Sequence, residues 1–124
     1  MDKVTWFELP ADDTKRANVF YSKVFGWKLS DMGGGSTMAV TTPSDEQGAP
    51  TDPGAINGDI SPRSASLPHP LIVITVEDLD AKVKTVEAEG GKVVTPRMEL
   101  KEMNAAYAVV SDTEGNAVGL WQDL

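Results

Sequence analysis

The chain states nearly the same pattern twice, about 65 residues apart, and this internal repeat restricts the fold more than any other feature of the sequence. Trp6-Phe7-Glu8-Leu9, Asp12-Asp13, an amphipathic stretch ending in Val24-Phe25 and then Gly26-Trp27 answers to Leu71-Ile72-Val73-Ile74-Thr75-Val76, Glu77-Asp78, a second amphipathic stretch and Gly90-Gly91. Each half reads as strand, acidic helix start, helix, glycine stop and further strands. The 124 residues suffice for one core and are too few for two independent ones, so a single domain over residues 1–124 is expected.

Val4 to Leu9 alternates as a strand, with Trp6 and Glu8 on one face and Phe7 and Leu9 on the other, and Pro10 is expected to end it. Asp12, Asp13 and Thr14 offer cap chemistry for a helix whose positions Ala17, Phe20, Tyr21 and Val24 form a stripe expected to be buried. Gly26 stops it; Trp27 to Leu29 and Thr37 to Thr41 read as strands joined by a turn at Gly33-Gly34-Gly35. Residues 43–53 form a polar loop expected to be mobile, before a short strand near Gly54 to Gly58. The first module thus covers about 1–60. A Pro- and Ser-rich linker follows over about 61–69, and a second module occupies about 70–124.

In that second module Leu71 to Val76 is almost continuously apolar, as expected of a strand buried on both faces. Asp78 and Asp80 start a helix with Leu79, Val83 and Val86 as its stripe, and Gly90-Gly91 ends it. Lys92 to Thr95, about Met103 to Ser111, and Ala117 to Trp121 complete the strands, with a turn at Asp112-Thr113-Glu114-Gly115-Asn116. The fold class is therefore α+β: two tandem βαβββ modules whose curled sheets, each covered by a helix on one face, surround a cavity.

Apolar residues at 40% and charged residues at 24% are ordinary for a globular chain. No apolar run reaches the ~20 residues of a membrane helix, and Met1-Asp2-Lys3-Val4 lacks the pattern of a signal peptide, so a cytoplasmic location is expected. The absence of cysteine excludes disulfides, thiolate metal sites and a cysteine nucleophile. A net charge of −8, with the 11 Lys and Arg scattered, argues against nucleic acid and against anionic membrane surfaces as partners.

Trp6-Phe7-Glu8-Leu9, Asp13, Phe20-Tyr21, Phe25-Gly26-Trp27, Val76-Glu77-Asp78, Gly90-Gly91, and Asp112 to Asn116 leading to Gly119-Leu120-Trp121-Gln122 together resemble the vicinal oxygen chelate superfamily, which includes glyoxalase I, bleomycin-resistance proteins and extradiol dioxygenases. The opening WFELP, the FGW and the closing GLWQ resemble its glyoxalase-like branch. The resemblance implies divalent-metal ligands from the first and last strands of each module. Matched residue by residue, it places Trp6, Leu71 and Gly119 at three ligand positions and the remaining one near Ala55 or Ile56. An indole, an isobutyl group, a bare glycine and an apolar residue supply none of the oxygen or imidazole donors that a divalent ion needs. No catalytic metal and no cofactor are expected; Glu8 with His69 and a loop carboxylate would be the only replacement set.

Strand alternation places Trp6 and Glu8 with Leu71, Val73 and Thr75 and with Gly119 and Trp121 on inward faces, an apolar lining with one polar handle. Trp6 and Trp121 read equally well as core. Glu8 is either a ligand anchor or general base, or the partner of a cation such as Arg97 or Lys101. Tyr107, on the seventh strand, has a hydroxyl within reach of a ligand, though core packing also explains it. His69, the only histidine, lies in a Pro-His-Pro segment and points to the cavity mouth or to water. Asp12 and Asp13 read as caps rather than a catalytic pair, and Gly33-Gly34-Gly35 lacks the lysine of a phosphate loop.

The candidate ligand-binding residues are therefore Trp6, Glu8, His69, Leu71, Val73, Thr75, Tyr107, Gly119 and Trp121, with Glu8 the catalytic candidate. Two function classes remain. One is a metal-independent protein that binds a small apolar or aromatic molecule; the other is a glyoxalase-type lyase or isomerase with Glu8 as general base. The resemblance also implies a homodimer.

Overall fold

The computed structural model describes residues 1–124, which divide into two compact units, Trp6–Pro70 and Met1–Thr5 with Leu71–Leu124. In the first unit the elements are strand β1 (Lys3–Ala11, of which the part from Trp6 belongs here), helix α1 (Thr14–Phe25), and strands β2 (Lys28–Gly33), β3 (Ser36–Val40) and β4 (Asn57–Pro62). The strands are ordered β2-β3-β4-β1, with β4 parallel to β1 and the other pairs antiparallel. In the second unit β5 (Leu71–Thr75), helix α2 (Leu79–Ala88), β6 (Lys92–Leu100), β7 (Ala105–Ser111) and β8 (Ala117–Asp123) follow the same plan. Their order is β5-β8-β7-β6, and β5 again lies parallel to the last strand. The repeat in the sequence is thus a repeat of βαβββ topology. Neither helix is long and apolar enough to cross a membrane.

Both helices start and stop on chemistry visible in the sequence. The Asp13 carboxylate accepts from the backbone N–H of Arg16 at 3.0 Å, and that of Asp78 from Ala81 at 2.9 Å, each satisfying a donor that the first helical turn leaves without a partner. Gly26 ends α1 in the left-handed region, at φ 72°.

The stripe by which α1 meets its sheet is turned relative to the expected one. Thr14, Ala17, Asn18 and Tyr21 are half-buried, whereas Phe20 and Val24 are 54% and 56% exposed. Asn18 takes a place on the covered face, where its side-chain amide donates to Thr37 Oγ1 on β3 at 3.0 Å. The aromatic rings pack on one another: Tyr21 stacks on Trp27 at 4.8 Å between centroids, Phe20 meets Tyr21 edge-on, and Phe7 reaches Trp27 from β1. In the second unit the expected stripe holds, with Leu79 fully buried against Val76, Ala106, Ala108, Val110 and Leu120, and Val83 and Val86 packed on that cluster.

Two strands run through a proline and past their expected ends. β1 continues through Pro10 to Ala11, whose carbonyl still accepts from Arg63 N–H, and β6 continues through Pro96 with register shifts on either side of Thr95. Proline removes a donor but not an acceptor, and bulges absorb the missing bond. β4 begins at Asn57, because Gly54 takes φ 81° in the preceding turn, and β7 begins at Ala105, after a 3₁₀ turn that contains Met103. β5 is buried on alternate residues only: Leu71 and Val73 are buried, while Ile72 is 44% exposed.

The loop over 43–53 is folded on itself. Asp45 Oδ1 accepts from the N–H groups of Gln47 and Ala49, and Thr51 N–H donates to the Pro43 carbonyl. The segment between the modules is likewise tied down, with a turn from Ser64 to Leu67 and the Leu67 side chain buried.

Candidate functional site

In the unit Trp6–Pro70, α1 covers the sheet face that carries Phe7, Leu9, Thr37, Ala39 and Ile60. Alternation and register put Trp6, Glu8, Met38, Asn57, Asp59 and Ser61 on the opposite face, with Trp6 beside Asn57, Glu8 beside Asp59, and Met38 beside Asp59 on its other side. Trp6 donates its indole N–H to Asp59 Oδ2 at 2.7 Å, and Ser61 donates its hydroxyl to Asp59 Oδ1 at 2.6 Å. Ser36 Oγ lies 2.9 Å from Ser61 Oγ and extends the chain of polar contacts. Asp59 is 8% exposed, and burial holds its carboxyl above the usual carboxylate range although both hydrogen bonds act in the opposite direction.

One end of this face is closed by the loop over 43–53. Asn57 Nδ2 donates to Ser44 Oγ at 2.8 Å and to the Gly48 carbonyl at 3.2 Å, and its Oδ1 accepts from Thr41 N–H at 2.9 Å. Gly48 also sits close to Met38, since a Cβ added there would lie 3.3 Å from Met38 Cε.

In the unit that contains Leu71–Leu124, α2 covers the face formed by Ala106, Ala108, Val110 and Leu120. The face turned away from it carries Leu71, Val73, Thr75, Tyr107, Val109, Gly119 and Trp121, with Val73 and Val109 flanking Gly119 in the ladder and Thr75 and Tyr107 flanking Trp121. Gly119 is closely approached by its neighbours: a Cβ there would lie 3.0 Å from Cε2 and the hydroxyl of Tyr107 and from Val73 Cγ2. Trp121 meets the Tyr107 ring at 6.4 Å and donates its indole N–H to Asp123 Oδ1 at 2.7 Å. Thr75 Oγ1 lies 2.7 Å from Thr5 Oγ1.

Each unit therefore gathers its own share of the residues singled out in the sequence. Trp6 and Glu8 share one face; Leu71, Val73, Thr75, Tyr107, Gly119 and Trp121 share another. His69 is exposed and belongs to neither, held in a segment where the preceding Pro68 carbonyl accepts from Arg63 Nη1 at 2.6 Å. Arg97 is engaged by Asp80 and Glu99 at 3.3 and 3.4 Å.

Asp59 is the residue that sequence reasoning missed. Its signal was present in Asn57-Gly58-Asp59-Ile60-Ser61, a strict alternation of polar and small or apolar residues, which places a carboxylate on the Trp6 face once the strand begins at Asn57.

The profile of the Glyoxalase/Bleomycin resistance protein/Dioxygenase superfamily matches residues 3–120. The chain belongs to that superfamily. The putative glyoxylase CFP32 of Mycobacterium bovis is 33% identical over 123 residues, which cover 94% of this chain and 44% of the relative. The chain thus spans less than half the length of that protein. A glyoxylase-like domain-containing protein of Didymella fabae is 31% identical over 118 residues, covering 92% of this chain and 88% of the relative. Among solved structures, a superfamily member from Vibrio splendidus shares the fold, with a TM-score of 0.66 at 13% identity over 99% of this chain and 100% of the other.

The superfamily's divalent ion does not fit the side chains this member offers. Trp6 has its indole nitrogen committed to Asp59, the place beside Gly119 is filled by the Tyr107 ring, and Ala55 and Ile56 precede β4 with apolar side chains. No group of three or more His, Asp or Glu side chains converges on one point.

Proposed function

We propose that this superfamily member binds a small apolar or aromatic molecule without a metal, using the faces its helices leave uncovered. The observation that carries the reading is the pairing of an indole with carboxylates on one face: Trp6 is fixed by Asp59 and stands two residues from Glu8, so a flat apolar wall adjoins a polar anchor. Val73, Thr75, Tyr107, Gly119 and Trp121 supply a second lining of the same character. His69, being exposed, is given at most a peripheral part.

The test is a screen of small aromatic and carbonyl compounds by tryptophan fluorescence. Saturable quenching is expected, weakened by about 1.5–3 kcal/mol in Glu8→Gln if a charged hydrogen bond is lost. If Glu8→Gln and Trp6→Phe leave every response unchanged, the assignment of this face fails.

A lyase or isomerase with Glu8 as general base is the second reading, favoured by the name glyoxylase that the relatives carry. A binder loses only affinity in Glu8→Gln, whereas an enzyme loses on the order of 10²-fold or more in rate.

We place the chain in the cytoplasm as a homodimer. It has no cysteine to pair in an oxidising compartment, and α1 presents Phe20, Val24 and Phe25 to solvent beside Lys15, Arg16 and Lys23 in a chain of net charge −8. An apolar patch of this kind is a face that a second copy can cover by pairing it with its own. Light scattering at micromolar concentration is expected to give twice the mass of one chain; a single-chain mass removes the dimer.

A further inference from the structure

Asn57 and Gly58 form the only Asn–Gly pair in the chain, and each member is fixed by a different neighbour. Asn57 is 1% exposed and uses its whole side chain to tie the loop over 43–53 to β4. Its Nδ2 donates to Ser44 Oγ at 2.8 Å and to the Gly48 carbonyl at 3.2 Å, and its Oδ1 accepts from Thr41 N–H at 2.9 Å. Gly58 admits no side chain, because a Cβ there would collide with the carbonyl oxygen and the ring of Phe7 on β1. Packing thus demands, side by side, a primary amide and the one residue that leaves the next backbone nitrogen unhindered.

That combination carries a covalent chemistry. The Gly58 backbone nitrogen, once it gives up its proton, attacks Cγ of Asn57; the Cγ–Nδ2 bond breaks, ammonia leaves, and a cyclic succinimide remains. Water then opens the ring at either carbonyl, to an aspartyl or an isoaspartyl residue. Only water is consumed, and nothing is oxidised or reduced. In the folded chain neither group is free to react. Gly58 lies within β4, paired with β1 on one side and β3 on the other, and the hydrogen bonds to Thr41, Ser44 and Gly48 hold the amide against rotation. Ring closure requires the release of both.

We propose that Asn57–Gly58 is a deamidation site gated by the loop over 43–53, protected while Asn57 holds the loop and reactive when the loop and the start of β4 come away. The product does not restore the closure. A carboxylate has no N–H to offer the Gly48 carbonyl, so two acceptors face one another there. Ser44 donates to that carboxylate only by giving up the Thr42 carbonyl, to which its hydroxyl now donates at 3.0 Å. The isoaspartyl form also adds a methylene to the main chain and displaces β4 from its register against β1. A reversible local opening is thereby made permanent. The inference is independent of whether the Trp6 face holds a ligand.

The test incubates the full chain at mildly alkaline pH, natively and in urea beyond its unfolding transition, and follows residue 57 by peptide mass mapping and by enzymatic methylation of isoaspartate. Conversion is expected in urea and to be at least about tenfold slower in the native chain, where only the opened fraction reacts. Ser44→Ala removes one partner of the Asn57 amide and is expected to raise the native rate about threefold to tenfold, the effect of one hydrogen bond on the opening equilibrium, without changing the rate in urea. Asp78→Ala, which loosens α2 instead, is the control and is expected to leave the native rate at Asn57 unmoved. Equal acceleration by both variants, or none by Ser44→Ala, overturns the loop as the gate. A native rate equal to that in urea overturns the protection, and a chain unmodified in urea overturns the site itself. Natively aged protein, separated by its added negative charge, is expected to be cut after Glu46 by a glutamate-specific protease faster than unaged protein; equal rates overturn the claim that the loop fails to close again.

Discussion

The indole nitrogen of Trp6 lies 2.7 Å from Oδ2 of Asp59, so β1 and β4 are joined through their side chains as well as through their ladder. The bond brings together residues 53 positions apart, and it is made by a carboxylate that burial would otherwise expel from the interior.

Stability should report that carboxylate directly. Burial raises the Asp59 carboxyl above 3.8, the ordinary value that the unfolded chain retains. Between that value and the raised one the folded protein binds more protons than the unfolded one, so the Asp59 contribution falls as pH rises through the window. Asp2 and Asp112 shift the opposite way and add stability as pH rises towards 3.8, so wild type is compared with Asp59→Asn to cancel them. The wild-type melting temperature is expected to decline relative to the variant as pH climbs from about 4, and a constant difference would show that Asp59 titrates normally.

Two glycines should respond differently to an added methyl group. At Gly58 a Cβ would lie 2.4 Å from the backbone oxygen of Phe7, which the ladder holds in place, whereas at Gly119 the nearest atoms, 3.0 Å away, belong to the side chains of Tyr107 and Val73. Gly119→Ala is expected to cost about 1–3 kcal/mol in urea denaturation, as overpacking commonly does, and Gly58→Ala more than that. The reverse order would mean that β1 yields more readily than the Tyr107 ring.

Truncation should separate the two helices. Leu79 is fully buried, so Leu79→Ala is expected to cost about 2–5 kcal/mol, whereas Phe25, 59% exposed, should cost clearly less than the ~3–5 kcal/mol typical of a buried phenylalanine. Chemical denaturation of the two variants, at a concentration where the chain is monomeric, decides the matter.

Removing the caps should act locally and additively. Asp13→Ala and Asp78→Ala are each expected to cost about 0.5–2 kcal/mol, and the double variant about the sum, because the carboxylates serve different helices. A double variant no worse than either single one would show that one of the caps is not formed in solution.

Features with a local cause were legible in the sequence: the caps at Asp13 and Asp78, the stop at Gly26, the glycine turn after β2 and the repeat of topology all depend on neighbours within a few residues. What escaped depended on a distant partner. Asn18 faces the sheet, where Thr37 accepts its amide, while Phe20 and Val24 stay exposed, and that partner lies 19 residues away. Asp59 was hidden because a strand placed near Gly54 to Gly58 stops one residue short of it, whereas the strand runs from Asn57 to Pro62. Trp6 and Glu8 were assigned to one face from alternation alone; the carboxylate that fixes the indole required the register of β1 against β4.

The placement of each module's first strand beside its last, in parallel, has a consequence for the order of assembly. The pair Trp6 and Asn57 closes a long loop, whereas β2 meets β3 across one turn and β6 meets β7 across another. Closing a loop costs entropy before the contact rewards it, so the hairpins are the natural early structures and the parallel ladders the late ones. On the ribosome, a nascent chain that has exposed β1 has no ladder for it until the strand ending at Pro62 has emerged. During that interval the strand that carries Trp6 and Glu8 remains an open edge, the stage at which a crowded cell would most readily divert this chain into aggregation.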